Sequence, residues 1–475
     1  MVSRWRFALW LPLFLRLINK MKKNNQPTII IIVGISGDLS KRKLLPAISR
    51  IAAAGELPDQ YQVVGVTRQN DLSVTELLAK TKDPVTISNN LELWAMNLTE
   101  VSDYIKLDKH LQEIEKNFSE PAQRLFYLSV PPQISQPIIE AIGLSGLAKV
   151  PNTKLLLEKP FGVDLASAKE LTTDINKYFT PDQVYRIDHY LAKETAQNII
   201  VFRQDNSLFK RTWNKEFIER IEIVATENIG IEGRAIFYEQ TGALRDLVQS
   251  HLLQLAALTL MDIPLDLKLT DIPKQRLAAL QNLHLSTDEP VTDNVKRGQY
   301  AAYQQEVNNN GSTVETFVSL TLESDDPRWQ GVPIVLTTGK SLSEKFTGIK
   351  ILYKKDASHE ANQLVLKLQP DEGVELCLWT KSPGYDHKVD RHPLKFNFKE
   401  YYSLLPEAYE QVLFDAIQSD HSLFASSEEI LATWKIMDVI QKTWEMSADD
   451  LVIYQSGDSI EQVLSLTDIE DKPKD

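Results

Sequence analysis

The segment Arg186-Ile187-Asp188-His189-Tyr190-Leu191-Ala192-Lys193-Glu194 gathers groups that can hold a phosphate and move a proton. If the chain is extended over 186–188, successive side chains leave opposite faces, so Asp188 and His189 address different targets. A helix beginning near His189 would put His189 and Lys193 at i and i+4 on one face. An imidazole and an ammonium side by side suit a dianionic phosphate. Asp188, turned away from them, is free to orient a second imidazole. The plain alternative is a charged helix start on a solvated surface, and other parts of the chain decide between the two.

A second imidazole lies in Arg245-Asp246-Leu247-Val248-Gln249-Ser250-His251. Leu244, Leu247, Val248, Leu252, Leu255 and Leu258 trace the apolar face of a helix, and His251 falls on that face. In isolation such a histidine is more often a satisfied core residue. Here Asp246 lies near the same stripe and Asp188 is an available carboxylate. A histidine held by an aspartate beside a nicotinamide site is a general base for alcohol oxidation. Glu158-Lys159-Pro160-Phe161-Gly162 closes a strand-like run, where open α/β sheets bind ligands. Lys159 there could reach both cofactor and substrate, or the segment is a surface turn. Its X-Pro bond can be cis at low cost. Glu227, Lys340, Lys345 and Gln369 are weak signals one by one. No His/Cys/Asp cluster has the spacing of metal ligands, and no metal is expected.

Elements must position these groups. Thr28 to Val33 is a wholly apolar, β-branched run, read as a parallel strand covered on both faces. Gly34-Ile35-Ser36-Gly37-Asp38-Leu39 follows as a turn, then a helix from Ser40, then a second strand over Tyr61–Thr67. Strand, glycine turn, helix, strand opens a dinucleotide-binding fold, in which glycines let the backbone approach a pyrophosphate at the helix N-terminus. Gly34-x-x-Gly37 is not the GxGxxG form, and a structural turn reads nearly as well. Lys41, Arg42 and Lys43 occupy the first helical turn, where the helix dipole disfavours cations and an anion would compensate. Arg68 ends the second strand, where an acid selects a ribose 2′-hydroxyl and a cation a 2′-phosphate, so Arg68 argues for NADP over NAD. Strand-like runs at 124–130 and 154–157 alternate with helical spacing at 72–80, 102–117 and 164–178. That is the alternation of a parallel sheet.

The texture changes after about residue 205. A strand is expected over 218–226, a long helix over 240–261, strands over 299–307, 313–323, 332–338, 347–353, 363–369 and 373–380, and late helices over 401–418 and 427–446. The fold class that follows is a Rossmann-like doubly wound parallel sheet (residues 24–188), then a larger α+β domain on a mainly antiparallel sheet (residues 189–475), after an N-terminal extension (residues 1–23). Phe7 to Ile18 is apolar and flanked by Arg4, Arg6, Arg16 and Lys20, too short to span a bilayer, which takes about 20 residues. It has no small-residue cleavage site, and Met21 opens an ordinary start, so the extension is expected to lie outside the fold.

The chain has 475 residues, more than one core accommodates. Its net charge of −13 gives no nucleic-acid footprint and requires any anion site to concentrate Lys, Arg and His locally. The single cysteine, Cys377, excludes an internal disulfide and fits a reducing cytoplasm.

Together these motifs resemble the glucose-6-phosphate dehydrogenase family, over about residues 28 to 445. The carriers are Gly-Ile-Ser-Gly-Asp-Leu-Ser-Lys-Arg-Lys at 34–43, Glu-Lys-Pro-Phe-Gly at 158–162, Arg-Ile-Asp-His-Tyr-Leu-Ala-Lys-Glu at 186–194, and Arg245-Asp246 with His251. Arg328 to Pro333, Gly339-Lys340, and Tyr409 to Phe424 with Trp434 extend the match. The resemblance implies oxidation of glucose 6-phosphate at C1 to 6-phosphoglucono-1,5-lactone with NADP, the first step of the oxidative pentose phosphate pathway. It implies that Gly34, Ser36, Gly37, Asp38, Leu39, Lys43, Arg68 and Lys159 meet NADP, with Asn97 and Leu98 nearby. It implies that His189, Tyr190 and Lys193 bind the sugar phosphate, with Lys159, Glu227, Asp246, Lys340, Lys345 and Gln369 holding ring and phosphate. His251 would be the proton acceptor and Asp188 its carboxylate. A homodimer or homotetramer is implied, with no nucleic acid and no stable membrane association. The chain departs from the family pattern at Ser250 (usually Asn), Ala192 (Gly), Lys345 (often Arg) and Asn97 (Asp), and its end lacks an aromatic Gly-Ser-Trp-Gly-Pro motif. NAD use or another hexose phosphate is the alternative within the family. A silent sensor would have lost the base or its carboxylate, and this chain carries both.

Overall fold

The run Thr28–Val33 forms strand β1, buried along its whole length, and the rest of a seven-stranded sheet grows out from it. The computed structural model describes residues 24–467 apart from 80, 82–84, 265–267, 356–359 and 403–404, so the N-terminal extension lies outside the described residues. β1 pairs in parallel with β2 (Tyr61–Thr67) on one side and β4 (Gln123–Leu128) on the other. β3 (Leu91–Ala95) adds to β2, while β5 (Thr153–Leu157) and β6 (Val184–Ile187) add beyond β4. Side chains alternate across a strand, so β1 feeds two cores. Ile29, Ile31 and Val33 enter one core with Tyr104, Leu107 and Ile138. Ile30 and Ile32 enter the other with Leu45, Ile48, Val412 and Ile417. Helices therefore cover both faces, as a doubly wound sheet requires.

Val412 and Ile417 belong to the helix Ala408–Gln418, far along the chain. Just after it, β16 (Phe424–Ala425) pairs antiparallel with β6 and completes the first sheet. Arg276, fully buried, holds this return in place. It bonds Glu429 at 2.8 Å, the Phe424 carbonyl at 2.6 Å, and the Ser422 carbonyl.

The second sheet has ten strands and is mainly antiparallel. From one edge it runs β15 (Val389–Asn397), β14 (Gly373–Lys381), β13 (Gln363–Gln369), β12 (Phe346–Tyr353), β7 (Ile218–Thr226), β11 (Ile334–Gly339), β10 (Phe317–Ser324), β9 (Val295–Tyr300) and β17 (Leu451–Tyr454), with β8 (Leu283–His284) beside β10. The β7–β11 and β9–β17 pairs are parallel.

Three expectations are corrected. The run at 299–307 is not one strand: β9 stops at Tyr300 and a helical turn, Tyr303–Glu306, follows. The segment 401–418 splits into Phe398–Tyr401 and Ala408–Gln418. Pro406 disfavours helix in the residue before it, and a capping box between Glu407 and Glu410 restarts the helix after it. No helix begins at His189: residues 188–193 form turns, and the helix Glu194–Asp205 starts with Lys193 as its N-cap. The Asp188 carboxylate accepts from the Tyr190 amide at 2.9 Å, an Asx-type turn that competes with helix. His189 and Lys193 thus share a turn and not a helix face.

The expected helix over 240–261 is present as Ala235–Leu260, broken at Gly242 (φ 62°, ψ −180°) and wound as a π-helix over Leu244–Leu252. A Cβ at Gly242 would sit 2.3 Å from the Glu315 carboxylate, so glycine is required there for space as well as for φ.

Candidate active site

The site forms where β6 ends against the π-wound turns. Asp188 follows β6 directly, and His251 projects from the helix; both are almost fully buried. His251 Nδ1 lies 2.6 Å from Asp188 Oδ1. Bonding from i to i+5 stacks residues five apart, so the π-winding sets Asp246 on the same side as His251. An α-helical wheel separates them. Lys159 then reaches Asp246, bonding its carbonyl at 2.6 Å and its carboxylate at 3.1 Å. The Lys159–Pro160 bond is cis.

Burial pushes the His251 pKa down, with the Asp188 charge opposing, so the imidazole is held neutral. Burial would raise Asp188, but His251 and His189 outweigh it and hold that carboxyl at about 2. Asp246 is likewise kept low against burial by Lys159 and Lys340. The Tyr190 ring stacks on His251 at 4.1 Å between centroids, and His189 meets the same ring edge-on at 4.4 Å. Lys193 stands 5.6 Å over the other partner of that stack, the Tyr190 ring. Burial lowers its pKa, with Glu372 pulling it up and Lys345 and Lys43 pushing it down. These cations share one positive field that a dianion would relieve.

The second sheet delivers its groups through register. Thr226 pairs with Gly339 across β7 and β11, so the next residues, Glu227 and Lys340, emerge side by side and form an ion pair. Phe346 of β12 pairs with Thr226, and Gln369 of β13 pairs with Thr347. Glu227, Lys340, Lys345 and Gln369 thus end up along one end of four neighbouring strands. Lys345 is exposed there and Lys340 is buried.

The cofactor residues other than Lys159 gather at the carboxyl ends of β1, β2 and β3. Gly34 has φ 89°, and a Cβ on it would come within 2.4 Å of the Ser129 carbonyl. Gly37 donates to the Gly34 carbonyl at 3.0 Å, and Ser40 Oγ ties the turn to Ser129 Oγ at 2.8 Å. Ser36 is half-buried and Leu39 packs on the second core. Asp38 is exposed and paired with Arg42 at 2.7 Å, and Lys43 with Glu407 at 3.2 Å. Arg68 is exposed just past β2. Asn97 is exposed, its side-chain carbonyl accepts from the Thr99 amide and hydroxyl, and Leu98 is buried. The donor set fits a dinucleotide: a glycine turn, a helix start carrying three cations, and an exposed guanidinium where an adenosine ribose would end.

Sequence reasoning missed a cleft of about 900 Å³ between the ends of β4 and β5 and the helix Ala235–Ala243. Leu157, Lys159 and Pro160 line one wall, Ile236 and Phe237 the other. Ile236 is 82% exposed, and this apolar exposure is legible only once the helix is placed. Also missed were Tyr127 and Tyr409, whose hydroxyls both meet the Glu158 carboxyl. Among the described residues no group of three or more His, Cys, Asp or Glu could hold a metal, and no helix is long and apolar enough to cross a membrane.

Comparison with known proteins agrees with this layout. Residues 31–198 match the family model "Glucose-6-phosphate dehydrogenase, NAD binding domain", and residues 200–464 match "Glucose-6-phosphate dehydrogenase, C-terminal domain". The glucose-6-phosphate 1-dehydrogenase of Chlamydia muridarum (strain MoPn / Nigg) is 35% identical over 462 residues, spanning 88% of this chain and 90% of its own. That of Bacillus subtilis (strain 168) is 34% identical over 472 residues, spanning 92% and 96%. A solved glucose-6-phosphate dehydrogenase in complex with its substrate glucose-6-phosphate superposes with a TM-score of 0.86 at 30% identity, covering 96% of this chain and 100% of that one.

Proposed function

Because the chain belongs to the glucose-6-phosphate dehydrogenase family, we propose that it oxidises the C1 hydroxyl of D-glucose 6-phosphate to 6-phospho-D-glucono-1,5-lactone with NADP as coenzyme. The observation that carries the reading is the 2.6 Å bond between His251 Nδ1 and Asp188 Oδ1. With Nδ1 engaged, Nε2 is the nitrogen that takes the C1 hydroxyl proton. Asp188 fixes the tautomer and stabilises the imidazolium that results. His189, Tyr190 and Lys193 hold the 6-phosphate, supported by Lys345. Glu227, Asp246, Lys340 and Gln369 address the ring hydroxyls, and Lys159 lies between sugar and coenzyme. Phosphate binding remote from C1 helps place C1 for reaction.

Gly34, Ser36, Gly37, Asp38, Leu39 and Lys43 would cradle the pyrophosphate, Arg68 the 2′-phosphate, with Asn97 and Leu98 nearby. NADP, when bound, supplies the hydride acceptor, and the cleft beside Lys159 has room for its reactive half. The outer edge of the second sheet, where Leu394 and Tyr402 are more than half exposed, supports a homodimer paired through that sheet.

Wild-type protein should reduce NADP in the presence of glucose 6-phosphate, read as absorbance of the reduced nicotinamide. His251→Asn should lose about 10²–10⁴ in kcat while still binding the sugar phosphate by calorimetry. Wild-type turnover in that variant would remove His251 from its role.

A further inference from the structure

Glu158 has no part in the chemistry just described, yet its carboxyl is held close beside it. It directly follows β5, one residue before Lys159. The hydroxyl of Tyr127, fully buried on β4, donates to Glu158 Oε1, and the hydroxyl of Tyr409 bonds the same carboxyl from the helix Ala408–Gln418. The Tyr409 ring lies nearly parallel to His189, 13° between planes and 6.4 Å between centroids. One carboxyl therefore joins a strand of the first sheet to the returning helix, and that helix sets a ring beside the imidazole assigned to the phosphate. The first turn of the helix is tied down again by Arg50, which bonds Glu410 at 2.6 Å. Burial lifts the Glu158 pKa to about 7, against Tyr127 and Lys159.

We propose that Glu158 is a positioning residue for the sugar phosphate: bridging Tyr127 and Tyr409, it holds the Tyr409 ring against His189 and so fixes the imidazole that grips the 6-phosphate. This rests on the reading of the site under Proposed function. The role differs from that of Lys159, its neighbour, which touches Asp246.

The test compares Glu158→Ala, Glu158→Gln, Tyr409→Phe and the Glu158→Ala/Tyr409→Phe double variant with wild type. Readouts are calorimetric affinity for glucose 6-phosphate without coenzyme, the KM of each substrate, and turnover of unphosphorylated glucose. Loss of a hydrogen bond corresponds to about a tenfold rise in Kd and KM for glucose 6-phosphate in Glu158→Ala. Coenzyme KM and turnover of free glucose should stay at wild-type values. Tyr409→Phe should reproduce the rise, and the double variant should be no worse than the worse single variant, because both remove one linkage. Glu158→Gln, which can accept from one hydroxyl and donate to the other, should recover most of the affinity. Additive losses, or equal losses on glucose and glucose 6-phosphate, would overturn the proposal. So would wild-type affinity in Tyr409→Phe, a variant that keeps the ring and carries the comparison should Glu158→Ala fail to fold. If wild type itself does not bind glucose 6-phosphate, the reading of the site falls first; if it binds and the variants match it, only the role of Glu158 falls.

Discussion

His251 is suited to act as a base because its surroundings keep it uncharged. Burial lowers its pKa, with Asp188 the chief group pulling the other way. A general base must be unprotonated to act, so activity is lost on the acid side, as pH falls through the pKa of the imidazole. That pKa lies below the ordinary histidine value of about 6.5, so kcat/KM should hold down to that pH and drop only beneath it. Asp188→Asn should cost on the order of 10³-fold or more in kcat through the wrong tautomer. It also removes the charge that raises the imidazole pKa, so the residual activity should show its acid limb at lower pH still. An acid limb that stays put would mean the two side chains are not coupled. Arg68 makes a separate prediction: Arg68→Ala should raise the KM for NADP far more than the KM for NAD, and equal effects would take it off the 2′-phosphate.

At the scale of elements, the legible parts were those with strong periodicity. β1 and the helix Ser427–Met446 stand where their patterns put them, the helix to the residue. β15 was not legible because it is an exposed edge carrying Asp390, Arg391, His392 and Pro393 in its first half, so apolar alternation is confined to Leu394 and Phe396. β16 is two residues long and exists only through its pairing with β6. The π-winding was hidden for a different reason. Its sequence is a good α-helical amphipath, and the extra residue per turn shows only in the way Asp246 and His251 come together. Hence His251 and Asp188 were readable as residue types, while the companion position of Asp246 and the linkage through Tyr127 and Tyr409 depended on packing. The buried pair Arg276–Glu429 makes the element-scale prediction. Removing one partner strands a charge in the core, so Arg276→Ala should destabilise the protein by about 3–5 kcal/mol, seen as a lower midpoint in denaturant. A loss under 1 kcal/mol, by the about 0–1 typical of surface pairs, would mean the site is hydrated.

Across the whole molecule, the two sheets do not have separate interiors. One continuous core holds Ile29 and Val33 of the first sheet, Ile221 and Leu336 of the second, and Leu252 and Trp434 from the helices between. The helix Ala408–Gln418 and β16, late in the chain, are built into the first sheet. Calorimetric unfolding should therefore show one cooperative transition and not two, and fluorescence and far-UV dichroism should trace the same curve. Two resolved transitions would show that the halves melt independently.

The return of residues 408–425 to the first sheet also has a meaning in time. On the ribosome the strands from Thr28 to Ile187 emerge early, but the face made of Ile30, Ile32 and Leu125 is covered by Val412, Leu413 and Ile417, which are synthesised more than two hundred residues later. Until residues 408–425 emerge, the nucleotide-binding half carries a partly uncovered apolar face and an open β6 edge, so the nascent chain must be shielded through most of its synthesis.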